Sequence, residues 1–151
     1  MEAASMSRYK QLAALGMPWE TAYGYAQAVR VRDVIYVSGQ LGHDDQGALV
    51  GVVGIEGGPA TSPEASMALQ MRTAYANAAR VLAQLGAGLE HIVDEVLYVT
   101  DMDAAFAVAG SVRKAAYGSD RPQCASTIVQ VERLAFTQQL VEIRLTAVLP
   151  D

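Results

Sequence analysis

Cysteine occurs once in the 151 residues, so an internal disulfide is excluded. Cation is also scarce: 11 Lys and Arg stand against 16 Asp and Glu, for a net charge of −5. No basic run offsets that balance, and binding to a phosphate backbone depends on clustered Lys and Arg displacing counterions, so nucleic acid is disfavoured as a partner. No window approaches 18 uninterrupted apolar residues, and the opening MEAASMSRYK has no apolar signal core. Neither membrane spanning nor secretion is indicated, and a reducing cytoplasm is the compartment the sequence fits. The motifs GxxxxGK[ST], GxSxG, HExxH and CxxC are all absent, so nothing points to a nucleotide, a serine nucleophile, zinc or another cofactor.

Hydrophobic residues make up 52% of the chain and charged residues only 18%, which excludes disorder and supplies a packed core. The length is that of one domain. Residues 1–22, which include Pro18, read as an irregular leader packing on a single domain of 23–151. A hairpin follows, with strands around Val29–Val31 and Val34–Val37 and a turn at Arg32-Asp33. Residues 42–63 are rich in Gly and Pro and read as a long loop around one short edge strand, Ala48–Val53.

Ser62-Pro63-Glu64 is a helix start, and Met67, Met71, Ala74, Ala78, Val81 and Leu82 recur at helical spacing, predicting a helix over 63–85 that exits at Gly86. A strand is predicted over 91–100, then a helix over 102–117 capped by Asp101 and closed by Gly118. Two strands follow, 124–131 and 140–149. The pattern predicts an α+β fold, one sheet with two helices packed on one face. The other face, which should carry Val29, Val31, Val37 and Val129, then needs a second copy of the chain to cover it, predicting a homo-oligomer. His43, beside Asp44 and Asp45 in a glycine-rich loop, reads as a solvated turn more readily than as a metal site.

The strings YAQAVRV (25–31), VIYVSGQLG (34–42), the span 75–108, VQVERL (129–134) and VEIRLTAV (141–148) together resemble the Rid (YjgF-type) family of enamine and imine deaminases, formerly labelled endoribonuclease L-PSP. The resemblance implies a chorismate-mutase-like homotrimer with pockets between subunits, a small-molecule substrate and no cofactor. It also implies that Tyr25 and Gly39 bind substrate and that Glu142 positions or activates water. Two family groups lack counterparts: an asparagine falls near Gly110, and the arginine that clamps the substrate carboxylate falls at Ser126 or at Cys124, depending on register.

Residues two apart on a strand share a face, so Cys124 and Ser126 are expected in one pocket, beside Glu142. Cys124 is then either a buried small hydrophobe or a nucleophile or proton donor. Without a fork of guanidinium donors, activity on simple 2-imino acids is not expected, and Arg121 and Arg133 are better placed for solvent than as replacements. Trp19, Tyr23 and Tyr25 form an aromatic cluster able to line a site for a larger ligand, while Ser38 and Gly39 could donate to an oxyanion. Two functions follow: an imine or enamine hydrolase or tautomerase-like enzyme, and a non-catalytic trimer that binds a small molecule.

Overall fold

A computed structural model describes residues 9–52 and 62–151. The elements are β1 (Lys10–Ala13), α1 (Pro18–Tyr23), β2 (Ala28–Val31), β3 (Val34–Gln40), α2 (Pro63–Ala83), β4 (Ile92–Val99), α3 (Met102–Tyr117), β5 (Ala125–Gln130) and β6 (Val141–Val148), with one 3-10 turn at Leu89–His91. The six strands form a single mixed sheet in the order β1-β2-β3-β6-β4-β5, in which only the β4–β5 pair is parallel. This is an α+β fold.

The long helices begin as their sequences require. Ser62 Oγ accepts from Ala65 N at 3.1 Å, and Asp101 Oδ1 accepts from Ala104 N at 3.0 Å, each satisfying a donor in the first turn. Gly118 closes α3 at φ 64°, in the left-handed region where glycine carries no Cβ penalty. Met67, Met71, Ala74, Tyr75, Ala78 and Val81 bury one side of α2 against Ile35, Val37, Ile143 and Leu145. Alternation along the strands then leaves the opposite face open. Tyr36, Val129 and Val148 stand on it 50%, 39% and 40% exposed. Val37 was expected there too, but it pairs with Ala28 and Leu145 on the helix side and is buried.

The stretch expected to be irregular holds both β1, an edge strand paired with β2, and α1. Six residues are too few to display a helical period, and the signal is in the capping. Pro18 supplies the helical φ, Glu20 Oε2 reaches back to accept from Met17 N at 2.9 Å, and Gly24 exits at φ 91°. Leu15 N and Gln27 Nε2 also donate to Glu20 Oε2, each at 3.1 Å. Burial opposes ionisation of Glu20, but these donors outweigh it and hold its carboxyl below the usual carboxylate range. Ionised Glu20 therefore stabilises the fold above the unfolded carboxylate pKa, and this contribution is lost as pH falls through the lowered folded value. Glu20→Gln is expected to cost about 1–2 kcal/mol in denaturant unfolding at pH 7 and much less near pH 3. An equal cost at both values would contradict a charge-based role.

The glycine-rich loop is more ordered around His43 than a solvated turn would be. His43 is 2% exposed, Asn77 Nδ2 donates to the carbonyls of Leu41 and His43, and Asp44 Oδ1 accepts from Gln46 N and Ala48 N. Instead of the short strand expected at 48–53, one bridge joins His43 to Leu49, and Val53 lies outside the described residues.

Candidate functional site

Between Val37 and Gln40 the β3–β6 register slips, and Ser38 and Gly39 occupy the irregularity. Here, over the two central strands of the sheet, lies a cleft of about 620 Å³. Its floor is Ser38, Gly39, Glu142 and Arg144, and its walls are Trp19, Tyr23, Tyr25, Leu41, Ala135 and Phe136. Polar contacts hold α1 against this floor. Glu20 accepts from Gln27, whose Oε1 accepts from Gln40 Nε2 at 2.8 Å, and Gln40 Nε2 also donates to the Ser38 carbonyl at 3.0 Å. The cluster that caps the short helix thus also ties it to the irregular stretch of β3.

Glu142 lies on the open face of the sheet between two buried neighbours, Val141 and Ile143, and opposite Tyr98 of β4. It is half-buried, and burial pushes its carboxyl above the usual carboxylate range. Gly39 faces it at close range: a Cβ at position 39 would come within 2.6 Å of the Glu142 carboxyl carbon. Any larger residue there would displace the acid. A carboxyl that exchanges its proton nearer neutrality suits general acid–base work.

The Tyr25 hydroxyl accepts from Gln27 Nε2 at 3.4 Å. Burial, then the Glu20 charge, push it above its ordinary value, so it stays protonated as a donor. The Trp19 ring meets Phe136 edge-on at 5.4 Å and His43 at 5.1 Å, and its indole N–H is buried without a partner among the described residues. Ser38 offers less than expected. Its Oγ donates to the Ala26 carbonyl at 2.7 Å and its N–H to the Gln27 carbonyl at 2.8 Å, so neither proton is free for an oxyanion.

Trp19, Tyr25, Ser38, Gly39 and Glu142 therefore meet at one cleft. Cys124 and Ser126 do not join them within the chain. Parallel pairing sets Ser126 opposite Glu95, whose neighbours in phase, Leu97 and Val99, are buried under the helices, so Ser126 takes the helix side of the sheet. Its Oγ donates to Glu95 Oε1 at 2.9 Å. The same carboxylate accepts from Tyr75 Oη at 2.7 Å, Tyr117 Oη at 2.8 Å and Arg113 Nε. Cys124 does share a face with Ser126, but that face is the one away from Glu142. Its thiol packs 3.6 Å from Tyr117 Oη, and burial pushes it above the ordinary thiol value. This is the environment of a small half-buried hydrophobe and not of an activated thiolate. Alkylation of Cys124 by iodoacetamide should accordingly be slow at pH 7 and rise with a midpoint above that of a free thiol; rapid alkylation at pH 6–7 would contradict this.

Four lining residues, Leu41, Ala135, Phe136 and Arg144, escaped sequence reasoning. Phe136 lies in the connection between β5 and β6, which carries no period. Arg144 had a signal, since it stands two residues beyond Glu142 and must share its face.

A short aromatic-walled cleft with a single half-buried acid, set over the central strands of a mixed sheet whose two long helices pack on one face, defines a small α+β protein with a built binding site. A family model described as Endoribonuclease L-PSP matches residues 17–149. The chain belongs to that family, also known as YjgF or Rid. Among solved structures it is similar to Rv2704 of Mycobacterium tuberculosis, a YjgF/YER057c/UK114 family member, at 28% identity and a TM-score of 0.72 over 93% of this chain and 99% of that one. It is also similar to NMB1025 of Neisseria meningitidis, a YjgF family protein, at 25% identity and a TM-score of 0.65 over 94% and 96%. Yeast Mmf1, at 23% identity and a TM-score of 0.69 over 92% and 94%, shares the fold. No curated protein matches the chain in sequence.

Proposed function

We propose that the chain is a hydrolase of enamines or imines, acting without a cofactor on a metabolite larger than a simple 2-imino acid. The observation that carries it is Glu142: one half-buried carboxyl, raised by burial, against a glycine and under aromatic walls. In hydrolysis, water adds its oxygen to the imine carbon while Glu142 takes a water proton and passes one to the nitrogen. The carbinolamine then collapses, the C–N bond breaks, and ammonia leaves a ketone; imine and water are fully accounted for in these two products. Tyr25, a protonated donor, orients the substrate. Cys124 and Ser126 have no step in this sequence.

The active assembly is a cytoplasmic homotrimer. Support comes from the open sheet face, where Tyr36, Val129 and Val148 are exposed side chains that a second copy would cover. Light scattering should give about three times the 16.0 kDa chain mass. The activity is tested by generating imino acids in situ from an aromatic and from a three-carbon amino acid with an oxidase, in the presence of semicarbazide as a competing trap. Keto-acid release should be accelerated for the aromatic imine and little for the small one. No acceleration for any imine, with ligand still bound in the cleft, would favour a non-catalytic binding protein.

A further inference from the structure

Arg144, on the floor of the cleft, is the one Arg or Lys that lines it among the described residues. Its guanidinium is also uncommitted. Arg113 and Arg80 pair with Glu95 and Asp45, Arg30 donates to the carbonyls of Arg32 and Leu85, and Arg133 donates to the carbonyls of Leu134 and Ala135. Arg144 makes no ion pair or side-chain hydrogen bond among the described residues, although Asp94 sits diagonal to it on β4. A guanidinium presents a rigid fork of donors that matches a carboxylate in two parallel bonds.

The position is as informative as the charge. Arg144 and Glu142 lie on the same face of β6, about 7 Å apart along the strand by the ordinary rise per residue. A ligand held at Arg144 therefore has its neighbouring atoms within reach of the acid. Beyond them the space is apolar: Trp19 and Phe136 meet edge to face, and Tyr23 stacks edge-on to Tyr25 with ring centroids 5.7 Å apart. At about 620 Å³ the cleft falls in the range of sites for ring-sized ligands, and a three-carbon acid would leave most of it filled with water.

We infer that Arg144 is the specificity-determining residue of this cleft, holding the carboxylate of a ligand whose planar, apolar body lies against Trp19 and Phe136. This deepens the hydrolase proposal and rests on it for the reaction, though not for the binding. Arg144 would fix the acid end, and the aromatic walls would exclude water from the body and set its size.

The test uses two unreactive probes of one shape, phenylacetate and phenylacetamide, so turnover plays no part in it. Trp19 is the only tryptophan of the chain, and its fluorescence reports occupancy of the cleft directly. The full-length protein should bind phenylacetate at least about 10-fold more tightly than the amide. Arg144→Gln should bring the two within about 2-fold by weakening only the acid, and Arg144→Lys should keep part of the preference. Equal binding of both probes by the unmodified chain, failure of phenylacetate to bind, or a preference that survives Arg144→Gln would each overturn the inference. So would a change of oligomer mass in Arg144→Gln without loss of preference, since the guanidinium would then be joining copies of the chain. A preference that behaves as expected in a protein that hydrolyses no imine would leave the inference standing and remove only the proposed reaction.

Discussion

Arg113→Ala is expected to destabilise the protein by about 3–5 kcal/mol, more than any other single change at a charged residue considered. Glu95 is fully buried, and its carboxylate is held by two tyrosine hydroxyls, one serine hydroxyl and the Arg113 guanidinium. The hydroxyls can solvate the charge but cannot balance it. Deleting Arg113 leaves a buried anion without a countercharge, and proteins of this size have only about 5–15 kcal/mol of stability in total. The remedy is also specific. Adding Glu95→Gln to Arg113→Ala removes the charge while keeping an oxygen for Tyr75 and Tyr117, and should recover a large part of the loss. Equilibrium unfolding in urea measures both variants. A cost below about 1 kcal/mol for Arg113→Ala would show that the pair is effectively solvated.

Glu142→Gln is expected to lower imine turnover by at least about 100-fold, the ordinary contribution of a positioned general acid–base group, while ligand binding in the cleft changes little. Its effect on stability should run the other way. A carboxyl raised in the folded state keeps its proton better folded than unfolded, so its cost to the fold appears as pH rises through the carboxylate range and is absent at low pH. Glu142→Gln should therefore melt above the parent at pH 8 and level with it near pH 4. Such a gain on removing a functional acid is the usual signature of a site maintained at the expense of stability. Loss of turnover accompanied by loss of stability at pH 8 would assign Glu142 to the fold instead.

Much of the fold was legible because its long elements obey simple periods. α2 and α3 declare themselves through apolar spacing and through Ser62, Asp101 and Gly118 at their ends, and those caps form as their chemistry requires. β1 and α1 were not legible, because four and six residues cannot establish a period. The one clue, Pro18 followed by Glu20, is a capping signal that gains meaning only from Gln27 and Gln40 across the sheet.

The site divided along the same line. Tyr25, Gly39 and Glu142 followed from local strings resembling the family, and Trp19 from the aromatic cluster it forms with Tyr23 and Tyr25. Cys124 and Ser126 were expected beside Glu142 because the resemblance puts the family's carboxylate-binding arginine at one of these two positions; within the chain both lie on the face away from the acid. Strand alternation fixes only relative phase along one strand, and the parallel pairing of β5 with β4 sets which side is which. The sequence did contain a hint: Glu95 is in phase with Leu97 and Val99, so it points into the core and needs partners there. Phase along β6 likewise brings Arg144 to the cleft with Glu142. The arginine that the resemblance leads one to expect on β5 has no counterpart there, and the guanidinium proposed to hold a carboxylate lies on a different strand, where a comparison made position by position does not look.

The pH dependence of kcat/KM for an aromatic 2-imino acid, measured in the parent and in Glu142→Gln, tests the central claim most directly. A single acid–base group at Glu142 predicts a limb with an apparent pKa above that of a free carboxyl, and its disappearance, with the rate, in the Gln variant. A parent profile without that limb, or a variant that keeps both rate and limb, would contradict it.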